Sequence, residues 1–355
     1  MISSPIARRP SPRKGVRLPH EITIPAKQTF RLDRYVDLPL NSGEIRGRTV
    51  CTLVSPGTEL GWANGDVFPI RPGYSAVFEV EEVADGVDGI RPGELRFAMG
   101  MHRSTQTHTA RDTVPLPAGL RPEIAVLSRL MGVSLTSLMT TKARPGDHVV
   151  ITGAGPVGLL AAQLFKISGY RVTVVDPDPL RRAQLASCGI SDCRERVPLQ
   201  SSLQGQVALV LDCSGHEGAV LDACRIVRRL GEVVLVGVPW RKLTEISAHE
   251  LLNAVFFNLV TLRSGWEWEL PVHARAFEWE ELLGGYNNAR HSVFGGFARA
   301  LDWLAEGRIE LGGLLRRVPP TDPASLYAEI AARRNEEPFI VLDWTDFDGP
   351  DLKSS

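Results

Sequence analysis

The sequence predicts an α/β chain in which a compact, β-rich part precedes a doubly wound parallel sheet. Two observations carry that prediction. From Ile22 to Leu120, short β-forming runs alternate with Pro and Gly, as in Glu44-Ile-Arg-Gly-Arg-Thr-Val-Cys-Thr-Leu-Val54 and Ser75-Ala-Val-Phe-Glu-Val-Glu-Glu-Val83. After Pro122 apolar strands and helices alternate regularly, which implies parallel strands covered on both faces.

Taken in order, Glu123 to Thr141 reads as a helix. Strands 148–152, 171–175, 207–212 and 232–236 are separated by helices 156–168, 179–187 and 217–228. The run Val255 to Leu262 reads as the last strand of the sheet. Trp266 to Phe294 is rich in aromatic residues and glycine, with weak periodicity, and two readings stand: a wall of a cleft or a surface excursion. Phe297 to Ala305, apolar at helical spacing and stopped by Gly307, reads as a helix. Pro338-Phe-Ile-Val-Leu-Asp-Trp344 reads as a strand returning to the first part. The expected division is a flexible basic arm over 1–21, a β-rich part over 22–123, the parallel-sheet part over 124–265, and a closing segment over 266–355.

A chain of 355 residues is long enough for two cores. Its 43% hydrophobic and 23% charged residues are ordinary for a soluble globular protein. A formal net charge of -1 gives no electrostatic reason to expect nucleic acid or an anionic membrane as partner. No window approaches the roughly 20 apolar residues of a membrane helix. The cysteines, Cys51, Cys188, Cys193, Cys213 and Cys224, contain no C-x-x-C pair and are odd in number, which points to a reducing cytoplasm. Arg8, Arg9, Arg13, Lys14 and Arg17 lie among prolines with no apolar run after them, so the arm does not read as a secretion signal.

The sharpest signal is Gly153-Ala-Gly155-Pro156-Val157-Gly158, which follows a strand and opens a helix, with Asp176 ending the next strand. Gly153 permits the tight turn, Gly155 lets backbone approach a pyrophosphate, and Gly158 lets the helix pack closely on the sheet; Pro156 and Val157 open the helix, whose N-terminus offers unpaired N–H groups to phosphate. Asp176 suits the adenosine ribose hydroxyls and repels a 2'-phosphate, so NAD is expected over NADP. Arg181 and Arg182, a helical turn on, either soften that preference or form a solvated face. Asp212-Cys213-Ser-Gly215 and Val236-Gly237-Val238 end later strands at the cofactor edge, and Cys213, Gly237 and Val238 are counted as cofactor contacts; a second reading of Asp212 is a cap for the next helix.

With these motifs, with Ala143-Arg-Pro-Gly-Asp-His-Val-Val150 and with Leu211-Asp-Cys-Ser-Gly215, the chain resembles the medium-chain dehydrogenase/reductase superfamily over residues 22 to 345. The resemblance implies a GroES-like β-rich catalytic domain packed on a Rossmann domain, NAD(P)-linked oxidation of alcohols or reduction of carbonyls, a small-molecule substrate, and a homodimer or homotetramer. Zinc members carry a Cys before a Gly-Thr-Asp triplet, then Gly-His-Glu, then a Glu or Cys ahead of the Rossmann strand. Here those positions hold Pro56 before Gly57-Thr-Glu59, Tyr74 in Gly73-Tyr-Ser75, and Arg129. The structural-zinc loop of four cysteines is missing as well. Ser55-Pro-Gly-Thr-Glu59 with Gly73-Tyr-Ser-Ala76 is similar to the zinc-free subgroup that includes bacteriochlorophyllide hydroxyethyl dehydrogenases, so no zinc is expected.

Without zinc, hydride chemistry needs another group to hold the reacting oxygen and pass its proton. Thr58 matches the family position whose hydroxyl bonds that oxygen. Tyr74 replaces the ligand histidine as acid or base, or fills the vacant metal cavity. Arg129 is a candidate for the metal's electrostatic role or for a substrate carboxylate, against pairing with an acid such as Glu123. Ser75, His102 and Trp266 are candidate substrate contacts; Trp266, Trp268, Trp279 and Tyr286 either suit a ring-shaped or planar substrate or belong to the core. His102 and His108 share a face if the chain between them is extended, an alternative route to a metal. The leading expectation is a zinc-independent, NAD-preferring oxidoreductase interconverting a secondary alcohol and a ketone on a specialised metabolite such as a pigment side chain, sugar or cyclitol. Its rivals are an enone or quinone reductase and a catalytically silent nucleotide-binding scaffold.

Overall fold

The structure, a computed structural model, describes residues 18–269 and 292–347. Most of the basic arm, Trp279, Tyr286 and the C-terminal tail therefore lie outside the described residues. The first part holds β1 (His20–Ala26), β2 (Thr29–Arg34), β3 (Glu44–Leu53), α1 (Pro56–Ala63), β4 (Ala76–Val83), β5 (Leu95–Ala98), β6 (Thr105–Thr109) and β7 (Thr113–Pro115). Two helices, α2 (Pro122–Ala125) and α3 (Ser128–Thr140), lead into the alternation β8 (His148–Thr152), α4 (Pro156–Ile167), β9 (Arg171–Val175), α5 (Pro179–Ser187), β10 (Cys193–Arg194), β11 (Val207–Asp212), α6 (Glu217–Ile226), β12 (Val227–Leu235), α7 (Ala248–Asn258) and β13 (Thr261–Ser264). The described chain closes with α8 (Val293–Ala305), β14 (Leu315–Val318), α9 (Pro323–Ala331) and β15 (Phe339–Asp343).

The parallel sheet runs in the order β10-β9-β8-β11-β12-β13. Strand order reverses between β8 and β11, so the crevice beyond their C-terminal ends is the place where such sheets bind ligands. β11 is buried along its whole length, as expected of a central strand covered on both faces. The second sheet runs β14-β15-β3-β4-β5-β7, with β6 also paired to β3, while β1 and β2 form a separate antiparallel pair. β15 inserts between β14 and β3, so the C-terminal strand does return to the first part of the chain.

Several elements differ from the sequence expectation; β1 already begins at His20, inside the expected arm, and the helix expected from Phe297 begins at Val293. The helix over 123–141 is two helices, α2 and α3, with the turn at Val126 and Leu127. The helix expected to run to residue 228 ends at Ile226 because Val227 is already extended, and β12 starts there rather than at 232. The run from Val255 to Leu262 is mostly the end of α7: Ala254 is buried while Phe256 and Phe257 face outward, a helical rather than two-residue alternation. Leu259, in the left-handed region, ends that helix before β13.

One apolar core joins the two sheets. Leu53, Val77 and Phe97 of the antiparallel sheet, Leu130, Met131 and Phe297 of the intervening helices, and Val149 and Leu164 of the parallel-sheet part belong to it. α3 approaches α8 closely at Gly132, where a Cβ would lie 2.5 Å from the Phe297 ring, and that ring stands edge-on to Phe97 with centroids 5.3 Å apart. α3 is thereby held rigidly beside both sheets, which fixes Arg129 at its start.

Candidate active site

The nucleotide end is built from glycine geometry. Gly153 sits at φ +86, in the left-handed region. At Gly158 a Cβ would lie 1.8 Å from the Gly153 carbonyl oxygen, so only glycine lets α4 start against the turn. A Cβ at Gly155 would meet nothing within 4 Å, which leaves the backbone open beside the N-terminus of α4. These features fit a dinucleotide's pyrophosphate. Asp176 is 3% exposed; one oxygen accepts the Ala154 N–H at 2.7 Å and the other the Asp178 N–H at 2.9 Å, so the carboxylate braces the turn it faces. Arg181 reaches Asp176 at 3.4 Å and Asp178 at 3.9 Å, while Arg182 bonds the carbonyls of Asp176 and Pro177. Neither arginine is simply a solvated face.

Asp212 does not cap α6; the His216 ring does, accepting the Gly218 N–H at 3.2 Å. Asp212 instead accepts from Thr152 Oγ1 at 2.7 Å, from the Ser214 hydroxyl and N–H, and from the Gly215 N–H, which ties the loop after β11 to the end of β8. Gly237 lies so close to that loop that a Cβ would fall 2.4 Å from the Gly215 nitrogen. Cys213 packs against the start of α4, and burial pushes its thiol well above its ordinary range, so it serves as packing rather than as a nucleophile. Val238 is half exposed at the same sheet edge.

The second cluster gathers on α1 and the loop before β4. Ser55 precedes α1, Pro56 occupies its first turn, and the Glu59 carboxylate reaches back to the Ser55 N–H at 2.9 Å. Gly73, at φ +94, packs so closely on His102 that a Cβ would lie 2.5 Å from its backbone nitrogen, and this turn delivers Tyr74 toward α1. The Tyr74 hydroxyl donates to Ser55 Oγ and lies 3.4 Å from Thr58 Oγ1. The Arg129 guanidinium stands over the Tyr74 ring at 4.7 Å and holds Glu267 through two bonds of 2.5 and 2.7 Å. Burial raises the Tyr74 pKa, against the lowering pull of its bonds to Ser55 and Thr58 and of the Arg129 charge. Burial works against the Arg129 charge as well, but the Glu267 carboxylate outweighs it and the guanidinium pKa rises.

The structure thus brings Thr58, Tyr74 and Arg129 together. Arg129 does not pair with Glu123, which sits beside Arg121 and Arg317. Ser75 is elsewhere: its hydroxyl donates to the Val126 carbonyl at 2.7 Å and is buried. His102 is fully buried, bonded to Thr52 Oγ1 at 2.8 Å and to both Glu59 oxygens at 3.2 Å; Tyr327 donates to the same carboxylate. His102 precedes β6 while His108 lies within it beside Gln106, so the two histidines do not share a strand face. Trp266 is 59% exposed, just beyond the end of β13. Sequence reasoning missed Ser55, Glu59, Tyr327 and Glu267. Glu59 had a signal, an acid four residues after a serine at a helix start; Glu267 had none, since it stands 138 positions from its partner.

The fold, a β-rich part joined to a Rossmann-type parallel sheet, matches that of medium-chain dehydrogenase structures. Residues 156–266 match the family model for zinc-binding dehydrogenases. Over 134 residues, 35% of this chain, the sequence is 32% identical to L-galactonate-5-dehydrogenase of Escherichia coli, a match that spans 38% of that relative's own length. A longer match, 25% identical over 84% of this chain and 81% of the relative, is to 2-dehydro-3-deoxy-L-galactonate 5-dehydrogenase of Pseudoalteromonas atlantica. The crystal structure of galactitol-1-phosphate dehydrogenase from Escherichia coli superposes with a TM-score of 0.75 at 17% identity, covering 91% of this chain and 99% of that one.

Proposed function

We propose that the chain is a cytoplasmic, zinc-independent, NAD(H)-dependent oxidoreductase that interconverts a secondary alcohol and a ketone on a specialised metabolite. The observation that carries the reading is the Tyr74 hydroxyl, held between Ser55 and Thr58 beneath the Arg129 guanidinium, in a chain that also carries a glycine turn shaped for a dinucleotide. A bound dinucleotide would supply or accept the hydride. The turn through Gly153, Gly155 and Gly158 would hold its pyrophosphate, and Asp176 would take its adenosine ribose. Tyr74, kept protonated by burial, donates its proton to the carbonyl oxygen in reduction and recovers it in oxidation. The Ser55 hydroxyl then turns to donate to the phenolate oxygen, Thr58 orients the substrate oxygen, and the Arg129 cation over the ring offsets the charge left behind. Glu267 positions Arg129, so the guanidinium is not free for a substrate carboxylate.

The donor chemistry supports zinc independence. Pro56 carries no donor atom, Arg129 is a cation already held by a carboxylate, and among the described residues no three of His, Cys, Asp and Glu gather to hold a metal. The reading is tested by titrating chelator-treated protein with NADH and NADPH, followed by assay with secondary alcohols and ketones. We expect NADH to bind, more tightly than NADPH, with binding weakened by Asp176→Ala, and turnover to persist after chelation. Binding of neither nucleotide, or turnover that depends on added zinc, overturns it.

A further inference from the structure

Deepening the proposed alcohol–ketone chemistry, on which it rests, the geometry points to Trp240 as a specificity-determining residue: its indole, seated on Gly61 of α1, forms the outer wall of the substrate site and favours carbonyl compounds with an apolar ring substituent over open-chain polyhydroxylated ones. Trp240 follows Gly237 and Val238 in the loop beyond β12, and a tight turn, Trp240 N–H to the Val238 carbonyl at 2.9 Å, sets its backbone. A Cβ at Gly61 would lie 2.4, 2.6 and 2.7 Å from indole Cδ2, Cε2 and Cγ, so the ring rests flat on the helix backbone. Glycine inside a helix is costly relative to alanine, and the indole is what its missing Cβ makes room for. The contact bridges the two halves of the molecule one turn of α1 beyond Thr58.

Large apolar side chains are exposed along this edge, with the charged Arg241 and Lys242 exposed just after Trp240. Val238, Trp240 and Trp266 are 52%, 47% and 59% exposed, all beyond the C-terminal ends of β12 and β13. Large apolar side chains left exposed at a ligand-binding edge suit contact with an apolar ligand. Trp62, the neighbour of Gly61, stands edge-on to Tyr74 with centroids 5.9 Å apart. By contrast Ser75 is committed to a backbone carbonyl, Glu59 and His102 to each other, and Arg129 to Glu267. A polyol entering here meets the hydroxyls of Tyr74, Thr58 and Ser55, and any hydroxyl it sets against the Trp240 indole loses water without replacement.

The test uses NADH-loaded protein with an aryl methyl ketone and an open-chain ketose as probes. We expect a higher kcat/KM for the aryl ketone. Trp240→Ala should raise its KM about tenfold, Trp240→Phe should recover most of the loss, and the ketose KM should barely move. Gly61→Ala, which favours the helix but displaces the indole, should raise the aryl-ketone KM in the same way. A ketose preferred over the aryl ketone, or an aryl-ketone KM indifferent to Trp240→Ala, overturns the assignment while the oxidoreductase reading stands. If neither probe is reduced, saturation-transfer NMR of the aryl ketone decides: a signal lost in Trp240→Ala supports the wall and equal signals overturn it, whereas failure to bind NADH counts against the dehydrogenase reading itself.

Discussion

Tyr74 shows how a single side chain is tuned by competing effects. Removing a phenol from water disfavours phenolate, and that outweighs the stabilising bonds to Ser55 and Thr58 and the Arg129 charge. The group therefore stays a proton donor through neutral pH. Ketone reduction should be flat with pH and fall only above the ordinary tyrosine range, roughly 10. Alcohol oxidation, which needs the phenolate, should rise steadily toward alkaline pH. Tyr74→Phe should lower kcat for reduction by about 100-fold or more and flatten both profiles, with NADH affinity retained. A pH–rate comparison of the two proteins checks this; a Phe variant with the parent profile removes Tyr74 from the chemistry.

Two elements carry predictions of their own. The start of α3 is pinned to the segment after β13 by Arg129 and Glu267, with the arginine side chain 5% and the glutamate 20% exposed. Glu267→Gln leaves a buried guanidinium uncompensated and should cost about 3 kcal/mol in urea unfolding, the low end for such a pair because Glu267 is partly solvated. Arg129→Met combined with Glu267→Gln should recover much of that loss. In β6, burial pulls the His108 pKa down from 6.5 to about 4, so the folded state holds it neutral. The unfolded chain takes up the proton first as the pH drops, and the contribution of His108 to stability, full above 6.5, is lost as pH falls from 6.5 toward 4. Urea midpoints measured across that window should decline less in His108→Gln than in the parent.

At the scale of the whole molecule, β15 is the piece on which the first part of the chain depends. Phe339, Ile340, Val341 and Leu342 are fully buried, and they feed two cores: Phe339 and Val341 the one shared with α3, Ile340 and Leu342 the one beneath β1 and β2. A chain truncated after Glu306 loses β14, α9 and β15, along with the Tyr327 bond to Glu59 and the Trp344 bond to Thr52. It should show no protected amides in β3 and β4 by hydrogen exchange. Protection in those strands at the parent level would contradict the dependence.

The sequence by itself determined the parallel sheet, the glycine turn and Asp176, because each rests on neighbours in the chain: alternation sets strand and helix, and three glycines within six residues set the shape of one loop. It also placed Thr58, Tyr74 and Arg129 on separate motifs without showing that they meet. Its misreading at Val255–Leu262 has a local cause, since a short apolar run does not separate a helix end from a strand. Only the tertiary structure decided which acid holds Arg129, which hydroxyls flank Tyr74, and which ring covers Gly61. Those choices follow from how α1, α3 and the loops beyond β12 and β13 pack against one another, and packing distance carries no signature in the spacing of residues along the chain.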